Sequence, residues 1–361
     1  MSKICILSCV NIRHMTLISL YTEYLREKNI PFDIIYMDKY GEEEDFPAEH
    51  KYVFVNKVNH QLPKPIKALQ YFKFRGFAKK ILEKNQYDFI IVWNDIAIFM
   101  FADYLAKRWK NKYCLNIRDY LREKQKWVFN RFKQAIDNAR FTTISSDGFR
   151  AFLPPHDYIQ VHSFNAAVLK ELPPRTRLCG LEAPIRISFV GNVRFFDINK
   201  QLMDTFAGDN RFVLCYFGTN ADILKAYADE HHIQNVKFHD RFPVSDTIKF
   251  LDDSDMINNL YGSGVISLDT AVSIKLYHAA YCRMPILVCK GTYMEEITHK
   301  YGIGFAVDTI DARLPDALYD WYHSIEFDRF DASCARLLEK AKEDNTRLAA
   351  TLDMVLQEIG Y

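Results

Sequence analysis

The sequence predicts an α/β protein built as two doubly wound parallel sheets, one in each half of the chain. Three observations carry that prediction. Short apolar runs suited to strands buried on both faces alternate with segments of helical periodicity from Ile4 to Val307. A Pro-rich, non-periodic stretch at 170–184 interrupts the alternation once. Charge divides at about the same place. Residues 1–180 hold 29 Lys and Arg against 19 Asp and Glu, whereas 181–361 hold 18 against 27, which suggests domains with different partners.

A chain of 361 residues has room for one large or two medium domains. It has no run of 18 apolar residues, which excludes a membrane-spanning helix. The apolar run within Met1–Val10 is too short for a signal peptide and reads as a first strand. The eight cysteines form no C-x-x-C and sit mostly in apolar segments. They are expected to be reduced thiols of a cytosolic protein, not disulfides or a zinc site.

In the first half, strands are expected at 4–10, 32–37, 52–55, 89–93, 113–117, 141–146 and 158–162. Helices are expected over 16–28, 96–108 and 121–138. The acidic Glu42-Glu43-Glu44-Asp45 reads as a solvated turn. Pro63–Asn85 holds seven Lys and Arg against one acid, interleaved with Tyr71, Phe72, Phe74 and Phe77. Two readings fit it equally: a helix lying on an anionic membrane, or an amphipathic helix whose aromatics face the core. Ligands of such sheets bind beyond the carboxyl ends of the strands. That rule nominates Asn11, His14, Asn94, Asp95, Arg118, Asp119 and Ser145.

The second half repeats the alternation, with strands at 185–190, 212–217, 236–238, 256–260, 286–288 and 304–307. Its central stretch is Ser273–Glu296. Ser273 is a good N-cap, Leu276, Ala279, Ala280 and Met284 recur at helical spacing, and Pro285 is expected to stop the helix before Ile286-Leu287-Val288. A helix start carrying Ser273 and Lys275 suits an anion, because free N–H groups and the helix dipole face outward there. A polar helical tail, 341–361, follows and is expected to pack back toward the N-terminal domain.

Several activities lack their signatures. There is no G-x-x-x-x-G-K-[ST], no G-x-G-x-x-G after the first strand and no G-x-S-x-G. His231 and His232 are adjacent, with no metal-ligand spacing.

What the second half does carry is an ordered set. Phe189-Val190-Gly191-Asn192-Val193-Arg194 is followed by Lys200. Tyr216-Phe217-Gly218 ends the next strand, and Val236-Lys237-Phe238 runs into His239-Asp240-Arg241. Asp255 enters the following strand, and Lys275-Leu276-Tyr277-His278 precedes Pro285-Ile286. Spread in this order over roughly 185–308, the set resembles the donor-nucleotide domain of GT-B glycosyltransferases of the broad family-4 kind, which build bacterial surface polysaccharides. The N-terminal half matches only in pattern.

The resemblance implies a GT-B fold, two Rossmann-like domains facing across a cleft: 1–170 for the acceptor, 171–184 as linker, 185–340 for the nucleotide sugar. It implies a diphosphate leaving group neutralised by Arg194, Lys200 and Lys275, with no metal or other cofactor. The remaining donor contacts are assigned by the same resemblance to Gly191, Asn192, Gly218, Thr219, Arg241 and the helix start Ser273, Ile274, Lys275 and Leu276. One departure stands out. The family's E-x7-E pair is replaced by Thr270 and His278, so His278 becomes the candidate for the ribose and the stereochemical course is open. In the first half Asp119, His14 and then Asp95 are candidates to act on the acceptor hydroxyl as base or to orient it.

The expected activity is transfer of a sugar from a nucleotide-diphosphate donor to a polysaccharide or lipid-linked acceptor. The setting would be cytoplasmic, with the basic half at the inner membrane face and no nucleic-acid partner. Two rivals are a nucleotide-sugar epimerase of the same architecture and a non-catalytic sugar-nucleotide-binding module.

Overall fold

A computed structural model describes residues 4–56, 64–164 and 172–361. Pro63 of the basic stretch, Asn165 after the last strand of the first half, and Lys170 and Glu171 of the predicted linker lie outside the described residues. Two compact units are present. One comprises residues 1–162 together with 343–361, the other 163–342.

The first unit holds a seven-stranded, all-parallel sheet: β1 (Ile4–Ser8), β2 (Phe32–Asp38), β3 (Lys51–Val55), β4 (Phe89–Trp93), β5 (Tyr113–Ile117), β6 (Phe141–Ile144) and β7 (Tyr158–Gln160). Its order is β3-β2-β1-β4-β5-β6-β7, with Ile6 opposite both Ile34 and Ile91. The central strands are buried along their whole length because helices cover both faces. These helices are α1 (Ser19–Glu27), α2 (Lys64–Asn85), α3 (Asp95–Arg108) and α4 (Lys126–Ile136). α4 starts later than the pattern predicts, since Gln125 is its N-cap and residues 118–125 form the loop after β5.

The second unit repeats the plan with β8 (Ile185–Val190), β9 (Phe212–Phe217), β10 (Val236–His239), β11 (Met256–Asn259), β12 (Ile286–Cys289) and β13 (Gly304–Val307). The order is β10-β9-β8-β11-β12-β13, and Ile187 faces Leu214 and Met256. Side chains alternate between two apolar layers: Phe212, Leu214 and Tyr216 enter one, Cys215 and Phe217 the other. Its helices are α5 (Phe196–Phe206), α6 (Ala221–Glu230), α7 (Thr247–Asp252), α8 (Ile266–Thr270), α9 (Ile274–Cys282), α10 (Tyr293–Tyr301) and α11 (Leu314–His323).

The last helix, α12 (Phe327–Glu358), begins in the second unit and ends in the first. There Leu348, Leu352, Val355 and Leu356 join the apolar cluster of Ile6, Ile34 and Phe89. Both sheets follow the order 3-2-1-4-5-6 of a Rossmann fold, in which direction reverses between the first and fourth strands.

The cysteines are all free thiols, seven buried and Cys179 half-buried. Among the described residues no helix is long and apolar enough to cross a membrane.

Candidate active site

In the second unit the switch point lies between the loops after β8 and β11. The β8 loop needs two glycines. Gly218, after β9, has φ +133, and a Cβ there would sit 1.8 Å from the carbonyl oxygen of Gly191. Gly191 has φ +117 and open space at its Cβ position. The two backbones can therefore touch only because Gly218 has no side chain, while at Gly191 it is the torsion, not space, that favours glycine. Gly191, Asn192, Gly218, Thr219 and Arg241 line one cavity of about 620 Å³, whose far wall is Phe242, Pro243, Val244 and Thr247. Five of the predicted donor contacts thus share one pocket at the carboxyl ends of neighbouring strands. The apolar wall was not singled out from sequence; Phe242-Pro243-Val244 directly after Arg241 was the available signal.

Further along the β8 loop, Phe195 adopts a left-handed conformation, φ 58, ahead of α5. Buried Asn199 holds that turn, donating to the carbonyls of Arg194 at 3.1 Å and Phe195 at 2.9 Å. Its own oxygen accepts from the Asn258 amide at 2.9 Å. Tyr261, just after β11, is the hub. Phe195 stacks on it at 4.7 Å, the Arg194 guanidinium lies 5.9 Å from its ring centre, and Ser273 and Arg194 offset part of the upward push that burial gives its hydroxyl. Tyr261 and the two asparagines are residues that sequence reasoning missed.

Lys275 enters this cluster from α9. Ser273 caps that helix, accepting from the Lys275 amide at 3.3 Å, and its carbonyl takes the Leu276 amide at 3.1 Å. Ile274 is exposed, and its amide has no protein partner among the described residues. The Lys275 ammonium is buried, donates to the Asn258 carbonyl at 3.0 Å and stands 3.0 Å above the Phe189 ring. Burial, then the Arg194 charge, hold it well below the usual range of a lysine. His278, one turn on, is pushed down to about 4 by burial and by Lys275, so its imidazole is neutral at pH 7. Lys200 is placed differently. Its ammonium lies 4.8 Å above Tyr227 on α6, and among the described residues it makes no ion pair or hydrogen bond with the Tyr261 cluster.

Arg283 in the left-handed region, φ 58, ends α9 two residues before Pro285, which corrects the expectation that the proline stops it. The Arg283 amide returns to the carbonyls of Ala279 and Ala280, a C-cap that glycine usually supplies.

In the first unit Asp95 and Asp119 come together, with a third acid that sequence reasoning passed over, Glu123. Asp95 opens α3 and is buried; burial, then Glu123 and Asp119, push its carboxyl up to about 8. Glu123 is 1% exposed and is pushed up to about 7, mainly by burial. One of its oxygens accepts from the Leu121 amide at 2.7 Å and the other, Oε1, has no hydrogen-bond partner among the described residues. Asp119 is exposed and accepts from the Tyr120 amide at 2.8 Å. The signal for Glu123 was its place four residues after a strand-end aspartate in a loop read as helix.

His14 is elsewhere, bonded through Nε2 to the Tyr40 hydroxyl at 2.9 Å. Asn11 is buried between Asp38 and Glu44, and Asn94 caps α3. Glu44 is not a solvated turn residue: its carboxylate accepts from the amides of Ile12 and Arg13 at 3.0 and 2.8 Å.

No protein-family model matches the chain. No curated protein matches it in sequence either. Solved structures do match over the whole length. Sucrose-phosphate synthase from Thermosynechococcus elongatus is 13% identical with TM-score 0.66, covering 98% of both chains. HepE of Anabaena in complex with UDP is 13% identical with TM-score 0.64, covering 98% of this chain and 100% of that one. WaaG, a glycosyltransferase involved in lipopolysaccharide biosynthesis, is 10% identical with TM-score 0.62, covering 96% and 98%. At this identity the likeness is one of fold. The chain has the fold of the GT-B glycosyltransferases, with two Rossmann-like domains.

Proposed function

We propose that the protein is a glycosyltransferase that moves a sugar from a nucleotide-diphosphate donor to a saccharide acceptor, polymeric or lipid-linked, in surface polysaccharide synthesis such as capsule, O-antigen or exopolysaccharide. The observation that carries this reading is the Tyr261 cluster, where two cations, Arg194 and Lys275, converge with no carboxylate partner among the described residues. Cations held without counter-charge suit a ligand that brings its own. A departing nucleoside diphosphate gains charge as the glycosidic bond breaks, and preorganised cations stabilise that charge. The nucleotide lies in the adjoining cavity, its base against Phe242 and Val244 and its phosphates over Gly191 and Gly218. The diphosphate offsets the desolvation that holds Lys275 below the usual lysine range, and so favours its ammonium form. Neutral His278 bonds a ribose hydroxyl in place of the family's glutamate. These groups act without a divalent cation. Asp119, with Asp95 and Glu123 behind it, receives the acceptor proton. His14 is a subsidiary candidate and Lys200 supports the loop that carries Arg194. The setting is cytoplasmic, with the basic face of α2 against the inner leaflet.

The test is a thermal-shift and calorimetric screen of nucleoside diphosphates, UDP first, on the full chain. One base is expected to stabilise it. Arg194→Ala is expected to lose that shift and at least about 100-fold in transfer, an oxyanion-donor-sized effect. Full transfer activity in Arg194→Ala sinks the diphosphate assignment. Sugar conversion without any acceptor would instead support an epimerase, and a ligand shift without turnover a binding module.

A further inference from the structure

We propose that the groove between α2, α3 and α4 holds the hydrocarbon chain of an anionic amphiphile, and that the acceptor is such a molecule; the second clause rests on the transferase reading above. The groove measures about 800 Å³, within the size range of small-molecule sites, and is walled by Tyr71, Phe72, Ile96, Phe99, Met100 and Trp127. Phe72 and Trp127 are 66% and 60% exposed, large apolar surfaces that a soluble domain ordinarily covers. Ile66 and Leu69, also exposed, continue the stripe along α2 at helical spacing. The Trp127 ring is fixed edge-on to Phe99 at 5.2 Å, so the wall is built and not collapsed.

Charge selects the occupant. Three arginines and one aspartate line the groove. Asp103 pairs with both Arg75 and Arg131 at 2.8 Å, which leaves a net positive charge and one buried Arg75 Nε without a hydrogen-bond partner among the described residues. Arg122, which also lines the groove, is exposed and makes no ion pair among the described residues. Its backbone is held at φ 67, a conformation costly for a residue with a side chain. A chain of methylenes brings no polar group that needs a partner among aromatic walls, and an anionic head meets Arg122.

The placement fits the chemistry. Ile96 follows Asp95, and Leu121 and Arg122 stand between Asp119 and Glu123 in the chain. A head group held by Arg122 is therefore on the loop that carries Asp119 and Glu123, while the tail lies toward Phe72 and Trp127.

The experiment is calorimetry of the full chain with octyl, decyl and dodecyl phosphate below their micelle concentrations. Saturable one-to-one binding is expected, tightening about fourfold per methylene, as buried hydrocarbon does. Dodecyl maltoside is expected to bind at least about tenfold more weakly, for want of charge. Phe72→Glu, at an exposed site, and Met100→Trp, which fills the groove, are each expected to weaken dodecyl phosphate at least about tenfold while circular dichroism melts stay cooperative. Binding that is unsaturable, independent of chain length, or seen only with anionic vesicles overturns the groove. So does unchanged affinity in both variants. Nucleotide binding by the same samples separates the readings: alkyl phosphate binding without it supports the groove and overturns its use by a transferase.

Discussion

Asp95 and Glu123 are two buried acids whose carboxyls are pushed up to about 8 and about 7. The folded chain keeps protons there that the unfolded chain, with carboxyls near their ordinary pKa of about 4, has already released. Folding stability therefore falls as pH rises from about 4 through 8. Asp95→Asn and Glu123→Gln remove that penalty and preserve the acceptor oxygens facing the Arg118 and Leu121 amides. Each variant is expected to melt higher than the parent at pH 8, with the advantage shrinking toward pH 4.5. Scanning calorimetry across that range checks it, and a pH-independent difference would count against the raised values. On the proposed mechanism, a proton held on this cluster at neutral pH means that acceptor activation shares charge among three acids. Asp119 was legible as a strand-end residue. Glu123 was not, because its weight comes from burial, which spacing alone does not report.

Among elements, the β8 and β9 ends make the sharpest claim. Gly218→Ala drives a methyl into the Gly191 carbonyl and adds left-handed strain, so it is expected to cost at least about 2 kcal/mol in urea unfolding. Gly191→Ala meets no atom within 4 Å and is expected to cost less. Equal costs would mean that the two backbones do not approach. Strand-end glycines were legible because only glycine tolerates such torsions. The helix ends were less so. Ser273 reads as a cap and is one, but Arg283 occupies a C-cap that composition assigns to glycine, and its Asp331 partner is 48 residues away in sequence. A tertiary ion pair at that point offsets a local preference.

For the whole molecule, α12 is the element to test. Its last turns lie in the first unit, where the Tyr24 hydroxyl donates to Asp353 at 2.5 Å, Arg140 pairs with Glu358, and His162 meets Asp344 at 2.9 Å. Leu352→Ala is expected to cost about 3 kcal/mol, as for other buried leucines. A chain ending at residue 342 is expected to aggregate or melt well below the full length, because Leu348, Leu352, Val355 and Leu356 leave the first unit's core open. Gel filtration and thermal melting decide it, and an unchanged melting temperature would detach the tail from that core.

Sequence by itself determined what depends on local chemistry: two alternating α/β halves, the parallel strands as continuous apolar runs, the glycines at strand ends, and the serine that starts α9. Each is written in periodicity or in torsional preference, and these act within a few residues. Tertiary structure decided what depends on approach and burial. It gathered Arg194, Lys275, Ser273 and Tyr261 from three segments, turned Lys200 toward Tyr227, buried Glu123 beside Asp95, and left an aromatic groove beside them. A side chain's solvation and charge environment come from residues distant in the chain, so no window along the sequence contains them.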